Sequence, residues 1–149
     1  MERAYTMKLE LMHYDDQRHR SEVVEVLQTC FDYTTARNNP ELSIEKKLAV
    51  NDDLFFVAVE DEKVVGMVMG GYDGHRGWIY SLAVLPEKRK AGIGSRLLDH
   101  AEKEIARLGC VKINLQIVTG NEHLIDFYGS RGFAVEERIS MGKEIPENI

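Results

Sequence analysis

The sequence predicts a mixed α/β domain, a largely antiparallel sheet with helices around it and one parallel crossover. Three observations carry that prediction. Residues 54–72 hold two β-rich runs, "LFFVAVE" and "KVVGMVMGGY", joined by the dipeptide "DE", which is a hairpin pattern. Residues 94–109, "GSRLLDHAEKEIARLG", repeat apolar residues at helical spacing. Between a β-rich run that stops at Pro86 and that helix lies "EKRKAGIG", with two glycines at the helix mouth. The 149 residues read as one domain, long enough to bury a core.

Taken in order, "MKLELMHY" (7–14) alternates polar and apolar positions and reads as the first strand. Asp15 or Asp16 then caps a helix through "SEVVEVLQTCF", where Val23, Val24, Leu27 and Phe31 fall at helical spacing. "NNPELSIEKKLAV" (38–50) reads as a proline-bearing loop and a short helix capped at Ser43, although Ser-x-x-Lys lacks the reciprocal Glu of a full capping box. After the hairpin, "GWIYSLAVLP" (77–86) is a third β-rich run. The helix of residues 94–109 carries Leu97, Leu98, Ala101, Ile105 and Leu108 as one stripe, with Gly109 as its C-cap. "VKINLQIV" (111–118) is another strand, "NEHLIDFYGSRG" (121–132) a short helix, and "FAVEERISMGKEI" (133–145) closing β structure. The crossover through the glycine turn should be right-handed and set its two strands parallel.

Composition removes several classes. No 18-residue apolar run could span a bilayer, and "MERAYTMKLELMHYDD" has no apolar stretch like a signal peptide, so a cytoplasmic protein is expected. Cys30 and Cys110 lie far apart, without CxxC or metal-ligand spacing, and read as reduced and semi-buried. The five histidines include no HExxH, so no metal site is expected. Twenty-five acidic against 19 basic residues give a formal charge of −6, which argues against nucleic acid as the main ligand. That charge favours a cationic partner or simply keeps the surface soluble.

Glycines before a helix let backbone N–H groups close around an anion. A P-loop needs GxxxxGK[ST], which is missing here. A dinucleotide fingerprint needs GxGxxG, but Leu97 stands at the third glycine position and "NLQIV" ends without an acidic residue. What remains is Arg89-x-x-Gly92-x-Gly94 directly after a strand ending "LAVLP". That combination resembles the GNAT superfamily of acetyl-CoA-dependent N-acetyltransferases, whose hallmark is Gln/Arg-x-x-Gly-x-Gly/Ala after the fourth strand. Asn121 and then "FYGSRGF" follow, similar to the family's Tyr-x-x-x-Gly-Phe segment with Tyr128, Gly132 and Phe133. "VMGGYDGHRGWIYSLAV" further resembles the small bacterial group of YpeA-like acetyltransferases.

The resemblance implies a single domain over residues 1–149. Its central, mostly antiparallel twisted sheet would have six or seven strands, a V-shaped splay between strands 4 and 5, and about four flanking helices. It implies transfer of acetyl from acetyl-CoA to a primary amine by direct attack in a ternary complex, with a small-molecule acceptor. The alternatives are a protein N-terminus or lysine as acceptor, or a non-catalytic acyl-CoA-binding regulatory module. Many relatives are dimers, so a homodimer is compatible. By the same resemblance, backbone N–H groups of Arg89, Lys90, Ala91, Gly92, Ile93, Gly94 and Ser95 surround the CoA pyrophosphate. Arg89 and Lys90 either add charge-assisted contacts or stay solvated at the rim. Backbone groups on the strand of Leu82, Ala83 and Val84 bond the pantetheine amides, and an N–H there can polarise the thioester carbonyl.

The resemblance makes Tyr128 the candidate proton donor for the departing CoA sulfur, a role its phenol suits; the alternative is a core residue, since it shares helical spacing with Leu124 and Phe127. Asn121 fixes the loop or a CoA amide, or serves as an ordinary N-cap. An alkylammonium must lose a proton before attack, at about 4.6 kcal/mol in neutral solution. Several family members place a Glu on the fifth strand, five residues before the Asn, and this chain has Gln116 there. The candidates left are Asp73 and His75 in "GYDGHRG", acting directly or through water, with Tyr80 third. The same Asp-Gly is a strong hairpin-turn signal, so "DGHR" is either a turn alone or a turn with an acceptor site. Trp78 and Tyr72 line an acceptor pocket or fill strand positions.

Overall fold

A computed structural model describes residues 8–31 and 39–146 of the chain. They form two compact units, one ending at Gln116 and one beginning at Ile117. Met7, where the first strand was expected to start, and Asn38, the start of the expected proline loop, lie outside the described residues.

In the first unit five strands stand in sequence order: β1 (Leu9–His13), β2 (Phe55–Glu60), β3 (Lys63–Tyr72), β4 (Gly77–Val84) and β5 (Ile113–Leu115). The first four pair antiparallel, and β5 joins β4 in parallel, as the crossover requires. The β2–β3 turn is the expected two-residue one. Asp61 and Glu62 both take positive φ, 51° and 65°, the mirror-image turn whose twist suits a hairpin. β2 and β3 are buried at nearly every position, so helices cover both faces of the sheet.

Helix α1 (Asp16–Cys30) starts at Asp15, whose Oδ1 accepts from the amides of Gln17 and Arg18 at 3.1 and 3.3 Å. Helix α2 (Pro40–Val50) starts earlier than the Ser43 cap predicts. Asn39 is the N-cap and accepts from Leu42 N at 3.1 Å, and Pro40 occupies the first helical position, where its missing N–H costs nothing. Proline here opens the helix instead of preceding it in a loop.

Helix α3 (Ile93–Ala106) presses Ile93, Leu97, Leu98, Ala101 and Ile105 into the core. Leu108 does not join the stripe: the helix has ended, Gly109 turns left-handed at φ 96°, and Leu108 is exposed. Three glycines let α3 approach the sheet. A Cβ on Gly66 would stand 3.0 Å from a Leu97 methyl, and one on Gly70 would stand 3.0 Å from an Ile105 methyl. On Gly77 it would lie 2.8 Å from Ile105 Cγ2 and 2.9 Å from both Cys110 Sγ and Ile113 Cγ1. Cys30 and Cys110 are free thiols of intermediate burial.

The second unit carries α4 (Leu124–Gly129), closed by Phe133 N donating to Tyr128 O at 3.1 Å while Gly132 takes φ 95°. The closing β structure expected over residues 133–145 is not formed, and the described sheet has five strands instead of six or seven. Val135, Ile139 and Met141 stand exposed there. Strand propensity makes no strand without a ladder partner and a surface to pack on.

Gly77→Ala is expected to destabilise the fold by about 1–3 kcal/mol in a urea melt, because its methyl meets three packed groups. Gly142→Ala, whose methyl meets nothing within 4 Å, should leave the midpoint unchanged.

Candidate active site

The two edges of β4 differ. On the β3 side, Leu85 N donates to Val65 O at 2.9 Å just past the strand. Antiparallel alternation then turns the backbone amide and carbonyl groups of Leu82 and Val84 the other way, toward β5. β5 pairs only with Gly77, Trp78 and Ile79, so beyond Ile79 that edge has no strand partner among the described residues. This is the splay expected between strands 4 and 5. Tyr80 sits where the strands part. The β3–β4 register steps from Met69↔Ser81 to Gly70↔Ile79, leaving Tyr80 as the extra residue of a β-bulge.

The glycine turn begins at the open end of this gap. A short 3-10 turn (Pro86–Lys88) leads to Arg89, Lys90 at φ 69°, Ala91, and Gly92 at φ 83° as the N-cap of α3. A Cβ on Gly92 would meet nothing within 4 Å, so the glycine is needed for its conformation and the space before it is open. The helix ladder starts with Arg96 N to Gly92 O at 3.1 Å, leaving the N–H groups of Ile93, Gly94 and Ser95 without intrahelical acceptors. The other two long helices fill this need themselves. α1 has Asp15 and Asp16, and α2 has Asn39 and Glu41. α3 has no side-chain cap and no acidic residue in its first turn, so its partial positive charge is uncompensated.

Two basic side chains of the turn face backward. Arg89 Nε donates to Val84 O at 3.0 Å, and the same carbonyl accepts from Cys30 Sγ at 3.4 Å. Lys88 Nζ lies 2.6 Å from Glu60 Oε1, at the end of β2. Neither Glu60 nor Cys30 was legible as part of this turn, since both reach it across the fold from other elements.

The hairpin of residues 73–76 lies at the other end of β4. Asp73 Oδ1 accepts from His75 N and Arg76 N, each at 2.7 Å, and Oδ2 accepts from Trp78 Nε1 at 3.3 Å. These N–H groups, Arg76's first, hold the carboxyl below the ordinary carboxylate range. His75 is exposed at the tip. Behind the bulge, the Tyr80 ring lies against Gly71, where a Cβ would come within 2.7 Å of it. Burial, then the charges of Asp73 and Asp52, push the Tyr80 phenol up. Lys47, unremarked in the sequence, pairs with Asp52 at 2.8 Å, donates to Gly70 O, and stands 5.9 Å from the Tyr80 ring centre.

In the second unit, Asn121 makes a turn through its backbone, with Leu124 N donating to its carbonyl at 2.9 Å. It does not cap α4, whose N-cap is His123. The Tyr128 ring lies 5.0 Å from Phe127 and 5.8 Å from Phe133, and burial pushes its phenol up. Among the described residues no group of three or more His, Cys, Asp or Glu could hold a metal, and no helix is long and apolar enough to cross a membrane.

A strand edge without a strand partner beside an uncapped helix start offers backbone groups that suit an extended, anionic ligand. The profile of the acetyltransferase (GNAT) family matches residues 20–133, and the chain belongs to that family. It is 37% identical over 143 residues to "Acetyltransferase SG1711" of Sodalis glossinidius (strain morsitans), covering 95% of this chain and 98% of that one. Among solved structures, its fold is similar to that of the PaiA N-acetyltransferase from Thermoplasma acidophilum in complex with coenzyme A. That match has a TM-score of 0.77 at 21% identity, over 89% of this chain and 94% of the other. A chain of the NatC complex bound to Gag peptide and CoA matches with TM-score 0.77 at 20% identity, over 89% of each chain. The protein is an acetyl-CoA-dependent N-acetyltransferase.

Gly94→Glu is expected to abolish acetyl-CoA binding in calorimetry while leaving the melting temperature unchanged or raised. A carboxylate in the first turn suits the helix dipole but competes with a pyrophosphate for the same N–H groups.

Proposed function

We propose that the chain transfers acetyl from acetyl-CoA to the primary amine of a small molecule, by direct attack within a ternary complex. The observation that carries this reading is the meeting of the acid-free, uncapped start of α3 with the unpaired edge of β4. The first takes an anion and the second an extended amide chain, and acetyl-CoA has both. In this reading the N–H groups from Arg89 to Ser95 hold the pyrophosphate. Leu82 and the Val84 N–H pair the pantetheine amides, the Val84 carbonyl being held by Arg89 and Cys30, while Ala83 keeps the strand seated on β3. Binding both ends of the carrier fixes the thioester, so the attack is no longer a chance encounter.

The amine lone pair then forms a bond to the thioester carbon, and the carbonyl electrons move onto oxygen. Collapse of that adduct breaks the C–S bond, and the Tyr128 hydroxyl gives its proton to the departing sulfur. The phenol carries its proton at neutral pH, as a general acid must, and burial raises it further. Before the attack Asp73 attracts the incoming ammonium, which gives one proton through water to His75; the second N–H proton, released as the adduct collapses, passes through water to the Tyr128 phenolate. Support for Asp73 comes from its depressed pKa, which keeps it anionic. A cationic small amine suits that anion.

Tyr128→Phe keeps the ring and loses only the hydroxyl. Turnover should fall roughly 10²-fold with acetyl-CoA affinity unchanged, and unchanged turnover would make Tyr128 a packing residue.

The hairpin is tested separately. Asp73→Asn retains Oδ1 for the turn and removes the charge together with the exposed Oδ2 acceptor of Trp78 Nε1, so KM for the amine should rise roughly tenfold with little change in melting temperature. His75→Gln should lower kcat and shift the acid limb of its pH profile. Normal amine kinetics in both variants would leave the hairpin as a turn alone.

A further inference from the structure

We propose that Glu60 is a positioning residue for acetyl-CoA, acting through Lys88 to hold the turn between β4 and α3 in its binding shape. The proposal rests on the reading that this turn takes the pyrophosphate.

The turn needs holding. It includes a non-glycine residue, Lys90, in the left-handed region, a conformation that persists only where the surroundings over-determine it. The 3-10 turn before it has three residues and no side-chain cap. Lys88 ends that 3-10 turn, and its ammonium lies 2.6 Å from Glu60 Oε1. The Glu60 side chain is only 13% exposed, so its carboxylate has left most of its water and depends on the cation. Glu60 stands at the end of β2, paired with Lys63 on β3 and Leu9 on β1, so the turn is tied to the rigid centre of the sheet. Asp61 and Glu87 also act on Lys88 and keep it charged.

Charge alone argues against a carboxylate here. An anion beside a phosphate-binding turn repels the ligand, and by pairing Lys88 it withholds a cation from the phosphates. Simple electrostatics therefore predicts that removing Glu60's charge tightens acetyl-CoA binding. Positioning predicts the opposite sign: if the competent turn becomes a minor conformer, apparent affinity falls in proportion to its population.

The test uses the full chain with Glu60→Gln, Lys88→Met, Lys88→Arg and the Glu60→Gln/Lys88→Met double variant. Each is titrated with acetyl-CoA by calorimetry and assayed for KM and kcat. The expected result is a roughly fivefold rise in Kd and in KM for acetyl-CoA in both single charge-removing variants. The double variant should be no weaker than either single one, kcat at saturation should be unchanged, and Lys88→Arg should be near the parent. An unchanged or lower Kd in Glu60→Gln overturns the proposal, even with a lowered melting temperature, and so do additive losses in the double variant. If Glu60→Gln does not fold, Lys88→Met decides alone by the same KM-against-kcat split. Gly94→Glu separates the two readings. Normal binding there defeats the pyrophosphate assignment itself. Lost binding there with parental binding in Glu60→Gln defeats the role of Glu60 alone.

Discussion

Parallel pairing between β4 and β5 stops after three residues, and the rest of the molecule is arranged around that short ladder. A strand edge with unpaired N–H and C=O groups is a liability that proteins normally cover. Here the stretch without a strand partner begins at the Tyr80 bulge and runs to Val84, whose carbonyl is taken by Arg89 and Cys30, beside the point where the chain leaves for α3. The crossover must return to pair with the beginning of β4. It therefore leaves the start of α3 at the open end and brings its far end back to the paired end. The glycines at 66, 70 and 77 let that helix lie close enough to close the crossover without prying the sheet apart.

The two ends of the gap are held by different means. At the open end, Lys88 pairs with Glu60 and Arg89 donates to Val84 O, so the turn is tied to β2 and to β4. At the bulge, β2 no longer supplies a partner for Gly70. The Gly70 amide donates to Leu54 O, and its carbonyl is taken by Lys47, whose charge is neutralised by Asp52. The Lys47 side chain is almost fully buried, so removing Asp52 alone would leave a cation with the Gly70 carbonyl but no counter-charge. A lysine from a neighbouring helix thus completes a ladder that the chain itself abandons.

Much of this was legible in residues 54–109, where local signals agree with the tertiary outcome. A two-residue turn, a proline stop, glycines at a helix mouth and an apolar stripe from Leu97 to Ile105 each act over a few residues, and each appears where expected. The Ser43 cap failed for a local reason, because Pro40 serves as a helix start as readily as a loop residue. Leu108 and the 133–145 segment failed because hydrophobic pattern says which residues would suit burial, not whether a surface exists to receive them. The glycine turn was legible, since glycine spacing records backbone shape. Glu60, Cys30, Lys47 and Asp52 were not. Glu60, Cys30 and Lys47 meet Lys88, Val84 and Gly70 across 28, 54 and 23 residues, and Asp52 joins through Lys47, so no local pattern records their roles.

The Asp73 hairpin has an optical consequence. Trp78 is the chain's single tryptophan, half-buried on β4 with its indole N–H donating to Asp73 Oδ2. Indole emission therefore arises from one place, two residues from the bulge and some 20 Å along the strand from the turn that leads into α3. The fluorophore is native to the fold and samples one lip of the gap only. Its colour and quenching report the solvent and charge at the hairpin, independent of what occupies the far end, so the two ends of β4 can be followed as separate signals in an unlabelled protein.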